Sequence, residues 1–424
     1  MNPFPIVWAA LLRNRFTVTL FLILVALAVA LGIAISAQER ALRIGSARAA
    51  DRFDLIVAAP GNLNDLLFSV VYLDPTAVEL LPTEVTARLL VEDQTDFVAP
   101  IGFGDNIDGA PVVGTIAAFV DHLSGGLAEG HVFEHIDEAV VGALSPLRIG
   151  DVVEVTHGDS ALGTIDADAA ADALEAEGDH GEEGHEDHDH AHEGHSDLTV
   201  VGRMQATGTP WDRAIVVPIE YNWAAHNLGT GHLPADTSIG PPFDTSVLPG
   251  VPAVVVKPAD VAAAYGLRGE YRNDHSTAFF PAEVLVQLYG VLGDAAAVMS
   301  GLTFAAQALV VAAILAGLVA ILDLQRQRFA VLRALGASRL FVFTTIWLYV
   351  SALIVAGAAS GLLLGWGTAA LVSSQVANIT GVSMQAHIEL RELQWAGLFV
   401  ALGLALASVP AILVYRRPVI EGLR

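Results

Sequence analysis

Six imidazoles crowd into sixteen residues of this chain, at His180, His185, His188, His190, His192 and His195, among Asp179, Glu182, Glu183, Glu186, Asp187, Asp189, Glu193 and Asp197. Neutral imidazole is the commonest zinc ligand, and carboxylates beside it raise the local cation concentration and can ligate as well. On a helix, His185, His188, His192 and His195 would share one face. The chain has no cysteine, so thiolate metal sites and cysteine nucleophiles are excluded. The tract therefore offers several overlapping imidazole sites for zinc, and copper or nickel would bind there too. The alternative reading is a solvated acidic linker. His131 and His135, four apart around Glu134, could pair on a helix, although a structural role is the simpler reading. His122, His157, His226, His232, His275 and His387 have no ligand-spaced neighbours. No Ser/His/Asp constellation stands out. No G-x-x-x-x-G-K-[ST] phosphate loop is present, so the chain does not bind ATP in the usual way.

The elements that carry these residues are set by four uncharged apolar runs: Thr17–Ser36, Gly301–Leu322, Leu340–Ser374 and Trp395–Tyr415. Twenty residues of helix measure about 30 Å, the thickness of a bilayer core. The third run is longer than one span needs and must tilt or continue beyond the lipid. The first run exceeds the core of a secretory signal, so it is read as a retained helix in spite of the faintly cleavable Ala34-Ile35-Ser36-Ala37. Short basic segments mark the cytoplasmic side. Arg13 and Arg15 precede the first run, Arg326, Arg328, Arg333 and Arg339 lie between the second and third, and Arg416, Arg417 and Arg424 follow the fourth. The expected organisation is a cytoplasmic segment 1–16, a span 17–37, an extracytoplasmic domain 38–300 and a span 301–322. A cytoplasmic segment 323–339, a span 340–374, an outer loop 375–394, a span 395–415 and a cytoplasmic tail 416–424 complete it. Residues 38–300 hold 42 of the 46 carboxylates but only 11 of the 21 Lys and Arg. A domain that acidic makes nucleic acid an unsuitable partner. The outer cluster Arg40, Arg43, Arg48 and Arg52 departs locally from the charge rule and is read as resting on lipid headgroups.

The outer domain has the pattern of a mixed α/β fold. Residues 38–60 continue the first span as helix and then give a short strand in Phe53–Pro60. Further strands are predicted at Val112–Ile116, Ala139–Gly142, Asp151–Val155, Leu198–Val201, Ala214–Ile219 and Ala253–Val256, with helices at Pro75–Leu80 and Pro258–Tyr265. Pro281–Met299 reads as a helix running into the second span. Two segments read as low-order insertions, Gly229–Pro252 for its Gly, Pro, Thr and Ser content and Ala167–Asp197 for having no large apolar residue after Leu174. The small residues Gly357, Ala358, Ala359, Ser360, Gly361, Gly365 and Gly367 favour close helix packing, as a dimer seam or as ordinary membrane-helix composition.

The segment LQRQRFAVLRALGASRLFVF (Leu324–Phe343) resembles the cytoplasmic coupling segment of FtsX/MacB-type ABC transporter permeases. The tail VPAILVYRRPVIEGLR, the first helix WAALLRNRFTVTLFLILVALAVALGIAI and the outer stretches FDLIVAAPGN, Gly130–Val155 and Gly202–Trp223 resemble the same family. Phe329, Val331, Leu332 and Leu335 form an apolar stripe at helical spacing, Arg326, Arg328 and Arg333 flank it, and Gly336 stops the helix ahead of Ser338. Arg328 stands where many members carry an acid. The resemblance implies a four-span α-helical membrane protein with a large mixed α/β domain between spans 1 and 2. It implies a non-catalytic permease subunit, docked through this segment to a separate ABC ATPase and dimerised with a second permease copy, a homodimer in preference to a heterodimer. ATP hydrolysis by the partner would drive conformational work in the periplasm of a bacterial inner membrane, in efflux or zinc-related transport, with a periplasmic metal-binding or adaptor protein and membrane lipids as further partners. The alternatives are a lipoprotein-releasing permease and a regulatory activator of an envelope enzyme.

Overall fold

The chain is described from a computed structural model at residues 2–74, 76, 78–154, 156–157, 197–324 and 336–416. Its contacts separate two units, one of residues 1–45, 287–379 and 383–424, the other of residues 46–286 and 380–382. Helix α1, Phe4–Arg13, leads into α2, Arg15–Ala50, whose residues belong to both units. No proline interrupts α2. Where its apolar run ends, Arg43 pairs with Glu39 one turn back at 2.8 Å, an i,i+4 pair that favours continued helix. The expectation that helix persists past residue 38 is met.

The second unit is a mixed sheet. Strand β1, Leu55–Ala58, is buried at every position. Helix α3, Leu63–Tyr72, is capped by Asn62, whose Oδ1 accepts from Asn64 N–H at 3.0 Å; α4 spans Thr83–Leu90. Strand β2, Thr95–Ile107, turns through Asp108 and Gly109, both with positive φ (51° and 80°), into β3, Ala110–Thr115. That is the two-residue hairpin chemistry in which Asp-Gly is favoured. There follow α5 (Ala117–Ser124), β4 (Leu127–Gly130), β5 (Glu138–Val141), β6 (Val152–Val153), β7 (Thr156–His157), β8 (Leu198–Met204) and a 3-10 turn at Pro210–Arg213. Then come β9 (Ile215–Pro218), α6 (Ile219–Ala225), β10 (Ala253–Pro258), α7 (Val261–Glu270) and β11 (Thr277–Phe279). The strand order is β11-β1-β10-β2-β3-β9-β5-β8-β4, with β6 on β8 and β7 on β2. β3/β9 and β5/β8 are parallel and the other pairs antiparallel.

One side of the core gathers Val112, Ala139, Val141, Leu198, Val200 and Val217. Another is aromatic, with Phe119 edge-on to Phe53 and Trp211, ring centres 5.6 Å apart in each case, a favoured arrangement of ring quadrupoles. Gly102 and Gly114 face each other across β2 and β3. A Cβ on Gly102 would lie 2.1 Å from Asn222 Oδ1 and one on Gly114 2.7 Å from Asn222 Cβ. The absent side chains let α6 lie directly on the sheet.

Two expectations are corrected here. Pro75–Leu80 is not helical at its described residues; Leu81 instead bridges Val251, its N–H donating to the Val251 carbonyl at 2.8 Å. Six residues between two prolines are too few to repay helix nucleation, and Pro82 biases the residue before it to extended geometry. The segment 229–252 lacks regular elements yet is not loosely held, since His232, Leu248 and Val251 are buried.

The first unit is completed by α8, Pro281–Leu324, α9, Arg339–Thr380, and α10, Leu390–Arg416. α8 runs unbroken from Pro281 into the second apolar run, as expected. Among the described residues, three helices are long and apolar enough to cross a membrane: α2, α9 and Leu390–Ser408 of α10. The second apolar run lies in α8, partly at residues whose side chains are outside the description. Helix α9 packs on α2 through a glycine seam. A Cβ on Gly357 would be 2.6 Å from Val25 Cβ, on Gly361 2.6 Å from the Ala26 carbonyl, and on Gly365 2.8 Å from the Ala30 carbonyl. Gly357, Gly361 and Gly365 of the third run are thus used within one chain, by close backbone approach. Trp347 Nε1 donates to the Leu404 carbonyl at 3.2 Å and Gln307 Nε2 to the Ala28 carbonyl at 3.1 Å, so polar groups on α9 and α8 are satisfied by neighbouring helices.

Candidate functional site

The coupling segment expected at Arg326, Arg328, Phe329, Leu332, Arg333, Leu335, Gly336 and Ser338 is described only at its end. Arg326 to Leu335 lie outside the described residues, as do His180, His185, His188, His190, His192 and His195. Gly336 has φ +96° and is exposed, a left-handed geometry that costs glycine nothing. Ser338 caps α9, its Oγ accepting from Phe341 N–H at 3.2 Å. The Gly-Ala-Ser of the motif thus makes a turn followed by a helix start.

The root of the histidine tract is described although the tract is not. Val153 on β6 pairs with Leu198 on β8, antiparallel, and the next strand, β7, pairs with β2 through His157 and Asp105, so the described residues on both sides of the tract are held in the sheet. Nearby, His226 Nδ1 contacts the Asn222 carbonyl at 2.8 Å and its Nε2 lies 3.8 Å from Asp105 Oδ1. Burial, with Asp105 and Asp197 close by, pushes the Tyr221 phenol up to about 12. Among the described residues no three His, Asp or Glu side chains converge as a metal site.

Two polar clusters were not legible in the sequence. Glu220, at the start of α6, is buried with His232, whose Nε2 lies 3.3 Å from Glu220 Oε1. The same oxygen accepts from Gly240 N–H at 2.6 Å. Burial raises the Glu220 pKa, and the hydrogen bonds from the backbone and from His232 act in the opposite direction. In the first unit, Glu392 is buried at the head of α10. It accepts from Ser36 Oγ at 3.0 Å and pairs with Arg40, which also pairs with Glu389 at 3.2 Å and donates to the His387 carbonyl. Arg40 is therefore held by carboxylates, where lipid headgroups were expected, and Arg43 lies over the Tyr289 ring at 5.3 Å. The only sequence signal was a pair of acids, Glu389 and Glu392, just before an apolar run. A cavity of about 370 Å³ opens beside this cluster between α2, α8 and α10.

Residues 300–419 match the family described as FtsX-like permease C-terminal. The match takes in α8 from Ser300, the coupling segment, α9 and all of α10. Residues 300–419 are thus an FtsX-like permease domain. The family resemblance drawn from its coupling segment is upheld, and permeases of this type work with an ABC ATPase. The periplasmic region of MacB from Actinobacillus actinomycetemcomitans is similar over 57% of this chain and 95% of that one, at 8% identity and a TM-score of 0.31. A score that low carries no argument, so the α/β description rests on the strand order above. No curated protein matches the chain. The Arg40 cluster, the glycine seam and the Gln307–Ala28 hydrogen bond are among the described features that tie α2 to the matched helices.

Proposed function

We propose that this permease subunit couples ATP hydrolysis by a separate ATPase to conformational work outside the cytoplasm of a bacterial inner membrane. The carrying observation is the permease-domain match across 300–419, which brackets the basic, apolar-striped segment 324–338. The chain itself has no phosphate loop, so it is non-catalytic and the nucleotide belongs to the partner. In this reading the chain spans the membrane four times, with both termini cytoplasmic and residues 38–300 in the periplasm. The Arg distribution and the acidity of residues 38–300 support that orientation. Arg326, Arg328, Phe329, Leu332, Arg333 and Leu335 form the docking helix, while Gly336 and Ser338 end it and start α9. Two copies assemble on the ATPase as a homodimer. The contributions of α2 and α8 to both units support mechanical coupling. We assign zinc to the tract His180–His195, which makes zinc-related transport or efflux the setting, with a periplasmic metal-binding or adaptor protein as a further partner.

Co-purification with the ATPase tests the docking helix. Leu332→Asp or Leu335→Asp places a charge in the contact and should cost several kcal/mol if the site is dry, on the order of the penalty for burying an unpaired polar group. Recovery of the ATPase and stimulation of its turnover should both fall. Unchanged recovery and turnover would show that the contact lies elsewhere.

A further inference from the structure

The cavity between α2, α8 and α10 is lined by none of the residues proposed to dock the ATPase. Its walls are apolar at Val29, Ile33, Phe304 and Phe399. At roughly 30 Å³ per water-sized group, its volume of about 370 Å³ takes about a dozen chain atoms. Most polar side chains in its lining are already engaged. Ser36 donates to Glu392 at 3.0 Å, Thr303 to the Met299 carbonyl at 2.8 Å, Gln307 to the Ala28 carbonyl at 3.1 Å, and Glu39 accepts from Arg43 at 2.8 Å. Arg391 is different. It lines the cavity, is exposed, and makes no hydrogen bond or ion pair among the described residues. Trp395, one turn along α10, is 58% exposed at the same rim, and tryptophan is the residue enriched at headgroup level.

We propose that this cavity is a phospholipid site, with one acyl chain between the three helices and the phosphate on the Arg391 guanidinium. Arginine matches a phosphate through two parallel charge-assisted hydrogen bonds. The occupant is a lipid and not a water-soluble phosphate because the outward faces of the surrounding helices are apolar: Leu27, Leu31, Leu302 and Leu402 are all exposed. The charges around the mouth, Glu39, Arg40, Arg43, Glu389, Arg391 and Glu392, balance. That balance suits a zwitterionic headgroup whose amine reaches Glu39 better than an anionic one. The site rests on the membrane reading of the first unit and not on ATPase docking.

Native mass spectrometry of the full chain, purified in mild non-ionic detergent and offered phosphatidylethanolamine or phosphatidylglycerol, tests it. One phosphatidylethanolamine should remain per chain. Arg391→Glu should lower retention roughly tenfold, the scale of one lost hydrogen bond to a charged group, Arg391→Lys should keep most of it, and Ala396→Phe should fill the cavity and lower retention too. A phosphatidylethanolamine with a photoreactive chain should label peptides around residues 29–36, 300–307 and 395–399 of the unaltered protein, a readout that needs no variant to fold. Equal retention by Arg391→Glu and wild type would overturn the site. So would labelling spread over outward faces such as Leu363 and Leu371, or a second copy cross-linked through Trp395. ATPase recovery is scored on the same preparations: lipid retained without ATPase refutes the proposed function alone, and ATPase recruited without lipid refutes the site alone.

Discussion

A carboxyl group closed away from water is held most cheaply with its proton on, and Glu220 is such a group. Its pKa is raised above the ordinary 4.5, chiefly by burial. The folded chain therefore keeps this proton to higher pH than the unfolded chain does. The associated stability is complete below about 4.5 and is lost as pH rises through the raised value. Glu220→Gln keeps an acceptor for Gly240 N–H but cannot ionise, so the loss should vanish. In thermal unfolding of the full chain in detergent, followed by tryptophan fluorescence, the variant should gain on wild type steadily above pH 4.5. Trp223 beside Phe243, with ring centres 5.5 Å apart, reports on this region. A difference that does not grow with pH would mean that Glu220 titrates as an ordinary surface acid. Nothing local in the sequence announced this pair. His232 lies in a Gly- and Pro-rich stretch and reaches Glu220 only because the loop folds back over α6, a contact set by tertiary structure alone.

Among the elements, period and length decided what the sequence could show. The long helices were legible because apolar runs of twenty residues or more admit one reading. Strands β3, β5, β8, β9 and β10 were legible as short β-branched runs. Strand β2, the longest, was not, because Pro100, Gly102 and Gly104 break its pattern and proline normally argues against a central strand. Over the half that carries Pro100, β2 pairs with β10 alone, and β3 takes over from Gly102. One side of that half thus has no ladder for the proline to interrupt. The Asp108-Gly109 turn signal was present and would have placed the hairpin. The glycines of α9 could not be assigned to a seam from spacing, since Gly357, Gly361 and Gly365 would serve a dimer equally well. Their Cβ positions against α2 assign them. Gly361→Leu should force α2 and α9 apart, at a cost of about 1–3 kcal/mol or more, and lower the melting temperature of the detergent-solubilised chain. Gly367→Leu, with nothing within 4 Å of its Cβ, should melt like wild type. Equal melting of both variants would remove the seam from α2.

For the whole molecule, the charge map and the histidine tract belong together. Nearly all the carboxylates lie in residues 38–300, and the tract concentrates them around six imidazoles. Because β7 before the tract and β8 after it are both strands of the sheet, the tract is carried as a connection between two strands. Lengthening such a loop costs little, since closure entropy grows only with the logarithm of its length, so the fold can carry the tract without depending on it. Deleting Gly178–Ser196 should therefore leave melting and ATPase recovery unchanged while abolishing most zinc binding by the full chain in calorimetric titration. Zinc needs neutral imidazole, so binding by wild type should weaken as pH falls through about 6.5, the unperturbed histidine value. Growth of a deletion strain under zinc excess and zinc starvation then connects binding to physiology. Equal zinc binding with and without the tract would place the metal on other residues. Lost binding with unaltered growth would leave a zinc-binding tract and refute zinc-related transport as the setting of this permease.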